Sequence, residues 1–234
     1  MAFSMPLLTP AETDALMLSL KVSTWGIAGS LPLGIAFAWL LARRTFPGKT
    51  ILDGLIHLPL VLPPVVIGYL LLVTLGRNGA VGALLYDWFG LTLAFTWRGA
   101  AVASAVIAFP LMVQAIRLSI EGVDRGLESA ARTLGAGPLR TFFTVTLPLV
   151  APGILTGVIL GFARCLGEFG ATITFVSNIP GQTRTLPLAL YTQTQIPNGE
   201  VAAGRLCLIS ITVAMIALLA SEFLSRRVNR IIQG

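Results

Sequence analysis

Leu127–Pro152 reads LESAARTLGAGPLRTFFTVTLPLVAP, a charged, helix-prone segment between long apolar runs. Glu128, Arg132 and Arg140 would each cost several kcal/mol in hydrocarbon. The segment therefore belongs on one face of a membrane, joining two spans. As a short helix it places Leu127, Ala130, Ala131 and Leu134 at spacings of three and four, in one apolar stripe. Gly135 and Gly137 permit a tight exit, and Pro138 forbids simple continuation. A small apolar face held at a membrane surface needs a protein to sit against, so the segment is expected to dock a partner.

The rest of the chain supplies the membrane setting. Of 234 residues, 55% are hydrophobic and 11% charged, and the mean hydropathy is +0.86. A soluble domain carries roughly 25% charge, so this chain could not cover its surface with polar groups. Its apolar blocks reach the roughly 20 residues that a spanning helix needs. The alternating pattern of a transmembrane barrel is absent. The expected fold class is an all-α polytopic membrane protein. The net charge of +6 has its source in inner loops, where Lys and Arg gather. No Arg-rich run interleaved with aromatics points to nucleic acid. Cys165 and Cys207 lie in apolar stretches and form neither a disulfide framework nor a metal set.

Taken in order, Met1–Thr13 has no basic residue, the wrong start for a cleaved signal peptide. A first span is expected over Ala15–Ala42, with Lys21 snorkelling near its outer end. Gly26, Gly29 and Gly34 leave flat patches for a neighbouring helix. A second span, Ile51–Leu75, contains Pro59, Pro63 and Pro64 and must be kinked or broken. His57, near its inner end, reads as a packing residue. Gly76–Trp97 reads as an outer loop with Tyr86, Asp87, Trp88 and Phe89 at the headgroup zone. The third span covers Arg98–Arg117, bent at Pro110. The fourth starts near Pro148 and is interrupted by Arg164 and Glu168. Ser177–Ala203 reads as an outer loop dipping back at Leu186–Leu190, and the fifth span as Gly204–Ser221. Arg43, Arg44, Lys49, Arg117, Arg125, Arg132, Arg140, Arg226, Arg227 and Arg230 then fall inside, against Arg77, Arg98, Arg184 and Arg205 outside. That balance puts the N-terminus outside and the C-terminus inside.

No Walker A loop, HExxH pair or G-x-S-x-G elbow is present, so the chain reads as no enzyme. Energy for transport must come from another subunit or an ion gradient. Arg164 and Glu168 are the informative intramembrane charges, four apart and able to pair on a continuous helix. Three readings stand open: a pair that only holds helices together, a guanidinium lending positive field to an anion path, or a snorkelling span end. Thr172 and Thr174 offer hydroxyls to a path, although Thr in a membrane helix commonly bonds its own i−4 carbonyl.

Ser129-Ala130-Ala131, then Gly135, then Val145-x-Leu147-Pro148 resembles the E-A-A-x3-G-x9-I-x-L-P loop of binding-protein-dependent ABC permeases. Ser129 replaces the glutamate, with Glu128 just before it as a substitute contact to the partner, and Val145 replaces the isoleucine. From about Leu16 onward the chain resembles the molybdate permease subunits of that family. The stretches that carry the likeness are RRTFPGK (Arg43–Lys49), LPLVLPPVVIGYLLL (Leu58–Leu72), Ala131–Leu149 and ARCLGEFGATITF (Ala163–Phe175). Sulfate/thiosulfate and tungstate permease subunits look similar.

The resemblance implies a type I ABC importer transmembrane fold of about five spans, with spans two to five as its core. Some relatives have a further N-terminal span; this chain is expected in the five-span form. It implies one transmembrane permease domain over residues 1–234, in a bacterial inner membrane, with a coupling loop at about 127–148. Two copies would form the pathway, two cytoplasmic ABC ATPase subunits would dock below, and a periplasmic binding protein would deliver the oxyanion. Glu128, Ser129, Ala130, Ala131, Leu134, Gly135, Ala136 and Gly137, with Leu147 and Pro148, would couple to the ATPase. Arg164, Glu168 and Thr172 are the path candidates. ATP and Mg²⁺ would belong to the ATPase, with no cofactor or metal in this chain. Competing readings are a sulfate or tungstate permease, a membrane scaffold or sensor that moves nothing, and an intramembrane enzyme.

Overall fold

The computed structural model describes residues 8–233; expectations for the stretch before Leu8 and for the side chains of Arg226, Arg227 and Arg230 lie outside the described residues. The first helix, α1 (Pro10–Arg43), starts earlier than hydropathy suggests because a polar cap holds it. Thr9 N–H donates to Glu12 Oε2 at 2.7 Å while Glu12 N–H donates to Thr9 Oγ1 at 3.4 Å. This reciprocal box satisfies two otherwise orphan donors, and Pro10 fits the first turn, where no donor is needed. The same carboxylate accepts from Arg205 at 2.8 Å, tying the start of α1 to the last helix. The buried side of α1 is built from small residues, Ala15, Ser19, Ser23, Gly26, Gly34 and Ala38 among them, which lets a neighbouring backbone approach closely.

That neighbour is α5 (Trp97–Glu121), the central helix, which packs along both α1 and α8 (Leu147–Leu166). A Cβ on Gly26 would lie 2.9 Å from Ala101 O, and one on Gly34 would lie 2.7 Å from Met112 Cε, whereas Gly29 faces open space. Two of the three expected flat patches are thus filled by α5. One apolar cluster gathers Leu41, Met112, Ile116, Ile120 and Val150. A second gathers Val22, Ile107, Phe175 and Val176 at the opposite end of α5.

The proline-bearing second span is broken outright. α2 (Lys49–Val61) and α3 (Pro64–Leu75) meet at a 115° bend. Pro63 and Pro64 cannot donate to the carbonyls of Pro59 and Leu60, so the ladder ends there. α3 then packs against α9 (Gly170–Val176), closely enough that a Cβ on Gly68 would lie 2.6 Å from Ala171 O.

Two stretches read as loops contain helices. Gly76–Trp97 holds α4 (Ala80–Phe89), and Ser177–Ala203 holds α10 (Leu186–Thr194), whose Leu186, Leu188 and Ala189 are buried. Ser19 Oγ accepts from Leu186 N–H at 2.7 Å, anchoring α10 to α1. The last helix, α11 (Glu200–Gln233), begins four residues before the expected span start. Lys21 lies 3.9 Å from the centroid of the Trp97 ring, so its charge rests on an aromatic face. Among the described residues, four helices are long and apolar enough to cross a membrane, and a fifth span results if the bent α2–α3 pair counts as one. The chain has the make-up of a multi-pass membrane protein.

Candidate functional site

The segment that opened the sequence reading folds as α6 (Arg125–Thr133), α7 (Pro138–Thr141), a π turn over Phe142–Thr146, and then α8. Asp124 caps α6 by accepting from Gly126 N–H at 2.8 Å. The preference of Asp for that position was the available signal for where the helix begins. At the other end Gly135 N–H donates to Arg132 O and Ala136 N–H to Ala131 O, both at 3.0 Å. These are the two bonds of a Schellman closure, which needs a left-handed residue between them. Gly135 supplies it, with φ +86°. Gly137 then caps α7 in extended conformation, with Pro138 in its first turn.

No residue of α6 is fully buried. Leu127 is 49% exposed, and Leu134, just past the helix, 89%. Ala130 and Gly137 are also exposed, Ala131 and Ala136 partly so. Outside the spans, such apolar exposure marks an interaction surface. Glu128 behaves differently. Its Oε1 lies 3.0 Å from Arg43 Nη2 and accepts from Thr146 Oγ1 at 2.9 Å. Arg43 also donates to Val123 O at 3.3 Å. The carboxylate read as a substitute contact to a partner is therefore turned inward, joining α1, α6 and the π turn, while Ser129 remains exposed.

The π turn has a local cause. Pro148 has no N–H for the carbonyl of Thr144, and its ring crowds that carbonyl. The wider turn accommodates it, with Leu147 N–H reaching back five residues to Phe142 O. Leu147, half-buried, and Pro148, exposed, thus form the first turn of α8.

Arg164 and Glu168 pair, with Nη1 to Oε2 at 2.8 Å. The helix between them is not continuous, however: α8 ends at Leu166 and Gly167 caps it. Glu168 instead bridges a break, since its Oε1 accepts from Ala171 N–H at 2.8 Å in the first turn of α9. Its side chain is 1% exposed and that of Arg164 31%. Thr172 Oγ1 donates to Phe169 O at 2.8 Å and is buried; Thr174 Oγ1 donates to Gly170 O at 2.9 Å. Both hydroxyl protons are spent on local carbonyls.

One polar cluster escaped the sequence reading. Arg117 Nη1 lies 3.0 Å from Asp53 Oδ2 and its Nε 2.8 Å from Glu121 Oε1, which fastens α2 to α5. His57 Nδ1 lies 3.2 Å from Asp53 Oδ1 and 2.9 Å from Asp53 O. The Glu121 partner was readable at a spacing of four. The Asp53 partner, 64 residues away, was not. Among the described residues no three His, Cys, Asp or Glu side chains group to hold a metal ion.

A bundle of apolar helices broken by prolines, carrying an exposed amphipathic helix on a capped loop, defines a polytopic α-helical membrane protein. Residues 30–230 match the family described as binding-protein-dependent transport system inner membrane component, and the chain belongs to that family. Similar chains include the molybdenum transport system permease proteins ModB of Escherichia coli K12 and Haemophilus influenzae. The first is 66% identical over 94% of this chain and 96% of its own. The second is 60% identical over 94% and 96%. A probable sulfate transport system permease protein of Chlorokybus atmophyticus is 40% identical over 68% of this chain and 55% of its own. Among solved structures, a bacterial alginate ABC transporter superposes with TM-score 0.75 at 17% identity, covering 97% of this chain and 84% of that one. The inward-facing MetNI methionine ABC transporter gives 0.69 at 15%, covering 97% and 99%. The fold is therefore that of ABC importer permeases.

Proposed function

We propose that this chain is the permease domain of an ATP-driven molybdate importer, working as a pair with two cytoplasmic ABC ATPases and a periplasmic molybdate-binding protein. The observation that carries the coupling role is the capped helix α6, which presents Leu127, Ala130, Ala131 and Leu134 outward from a turn closed by Gly135. The choice of molybdate rests on likeness to the ModB permeases. In this reading the N-terminus is periplasmic and the C-terminus cytoplasmic, supported by the excess of Arg and Lys on the α6 face.

ATP binding in the partner draws the two α6 helices together, and the Glu128–Arg43 and Glu128–Thr146 contacts pass that movement to α1 and α8. Rigid helices then open the path outward, and hydrolysis resets it, an alternating-access cycle. Arg164, half-exposed while its carboxylate partner is buried, keeps guanidinium donors toward the path and offers an oxyanion a positive field. Molybdate, tungstate and sulfate are all tetrahedral dianions, so this charge does not separate them, and selectivity lies mostly with the binding protein.

The test is ATP-dependent uptake by the reconstituted complex with its binding protein. Molybdate uptake competed by tungstate but not by excess sulfate is expected. Efficient competition by sulfate would move the cargo to the sulfate branch, which the Chlorokybus relative represents. An assembled complex that moved none of the three would remove the cargo assignment.

A further inference from the structure

A cleft of about 390 Å³ lies between the end of α1 and the loop, lined by Trp39, Arg43, Arg44, Arg125, Glu128 and Arg132 among others. Its charge is unbalanced. Glu128 is paired with Arg43, and none of Arg44, Arg125 and Arg132 lies in an ion pair with a described carboxylate. Arg43 Nε is buried with no hydrogen-bond acceptor among the described residues, although its side chain is only 8% exposed. The cleft therefore gathers guanidinium donors in excess of its acceptors. Trp39 adds an aromatic ring of the kind that sits at the membrane boundary, with the Arg44 guanidinium 5.6 Å from its centroid.

The geometry of α6 keeps this cleft apart from the apolar stripe. Arg125, Glu128, Ser129 and Arg132 line it, at spacings of three and four, and so share one face of the helix. At 100° per residue that face lies roughly opposite Leu127, Ala130, Ala131 and Leu134. One side of α6 is apolar and turned away from the chain; the other is basic and turned toward the end of a spanning helix. Basic pockets between spanning helices at the inner surface suit phosphate headgroups, and guanidinium forks match phosphate oxygens.

We propose that this cleft binds the phosphate of an acidic phospholipid headgroup, which holds the basic face of α6 against the bilayer. Soluble phosphate shares the chemistry but lacks acyl chains to place it beside Trp39. The proposal rests on the placement of α6 at a membrane face, and not on the identity of the cargo.

The test is lipid retention by the assembled permease–ATPase complex, counted by native mass spectrometry after exchange into mixtures of phosphatidylglycerol and phosphatidylcholine. Wild type is expected to retain phosphatidylglycerol selectively. R44Q/R132Q is expected to lose that selectivity about 25-fold, at roughly fivefold per arginine. R44Q alone, outside α6, should lose about fivefold with its ATPase still bound, which separates loss of the site from damage to the helix. Equal selectivity in wild type and both variants would overturn the site. Displacement of the lipid by inorganic phosphate at matched concentration would overturn the headgroup as the ligand. Selectivity seen in the free permease but abolished by the ATPase would assign the cleft to the protein partner instead.

Discussion

Gly135 offers the sharpest test of the coupling loop. Its φ is +86°, yet no atom lies within 4 Å of where a Cβ would stand. Gly135→Ala therefore changes the backbone preference and nothing else. A left-handed L-residue costs about 1–2 kcal/mol, which shifts the balance between closed and opened turn by roughly 5–30-fold. Gly135→Pro goes further, because it fixes φ near about −65° and removes an N–H, the one donated to Arg132 O at 3.0 Å. Gly137 is the matched control. It too has open space around a Cβ, but its φ of −67° and ψ of 167° suit any residue. The assay is binding-protein-stimulated ATP hydrolysis and uptake per ATP in proteoliposomes. Gly135→Ala is expected to reduce coupled uptake severalfold, Gly135→Pro to abolish coupling or ATPase co-purification, and Gly137→Ala to change neither. Equal damage from both alanine variants, or none from either, would refute the reasoning from turn geometry.

Three further outcomes follow from the packing. Arg164→Ala leaves the buried Glu168 carboxylate without its cation, a situation that costs about 3–5 kcal/mol in a buried pair, so yield should fall. Adding Glu168→Gln should restore yield but not transport, and restored transport would reduce the pair to a structural tie. Gly68→Val should prevent α3 from seating on α9, where a Cβ would stand 2.6 Å from Ala171 O, whereas Gly29→Val, facing open space, should purify normally. Melting curves of the two detergent-solubilised variants check this, and indistinguishable midpoints would count against the close approach. A cysteine placed by Gly137→Cys should react with an impermeant maleimide only from the cytoplasmic side; labelling from outside would invert the proposed topology.

The long spans were legible because hydropathy over about 20 residues is a strong signal. The break in the second span was legible because two adjacent prolines leave the ladder no donors. The helices α4 and α10, at 10 and 9 residues, were not. Such short elements carry little periodicity, and α10 owes its position to Ser19, which lies 167 residues away. At the loop, the spacing of apolar residues and glycines gave the exposed stripe and the turn. The inward set of Glu128 stayed hidden, since its partners Arg43 and Thr146 lie 85 and 18 residues away. Likewise the spacing of Arg164 and Glu168 disclosed the pair, while the cap at Gly167 between them and the hold of Glu168 on Ala171 N–H did not show in the spacing.

The exposed leucines of the loop also bear on how the subunit is made. Leu127, Leu134 and Leu139 are exposed on the single chain, and under the proposed coupling role they are covered only when the ATPase docks. Apolar residues displayed this way on orphan subunits are what quality-control proteases and chaperones engage. Cellular abundance of this protein should then track that of its partner, with surplus copies turned over rather than stored.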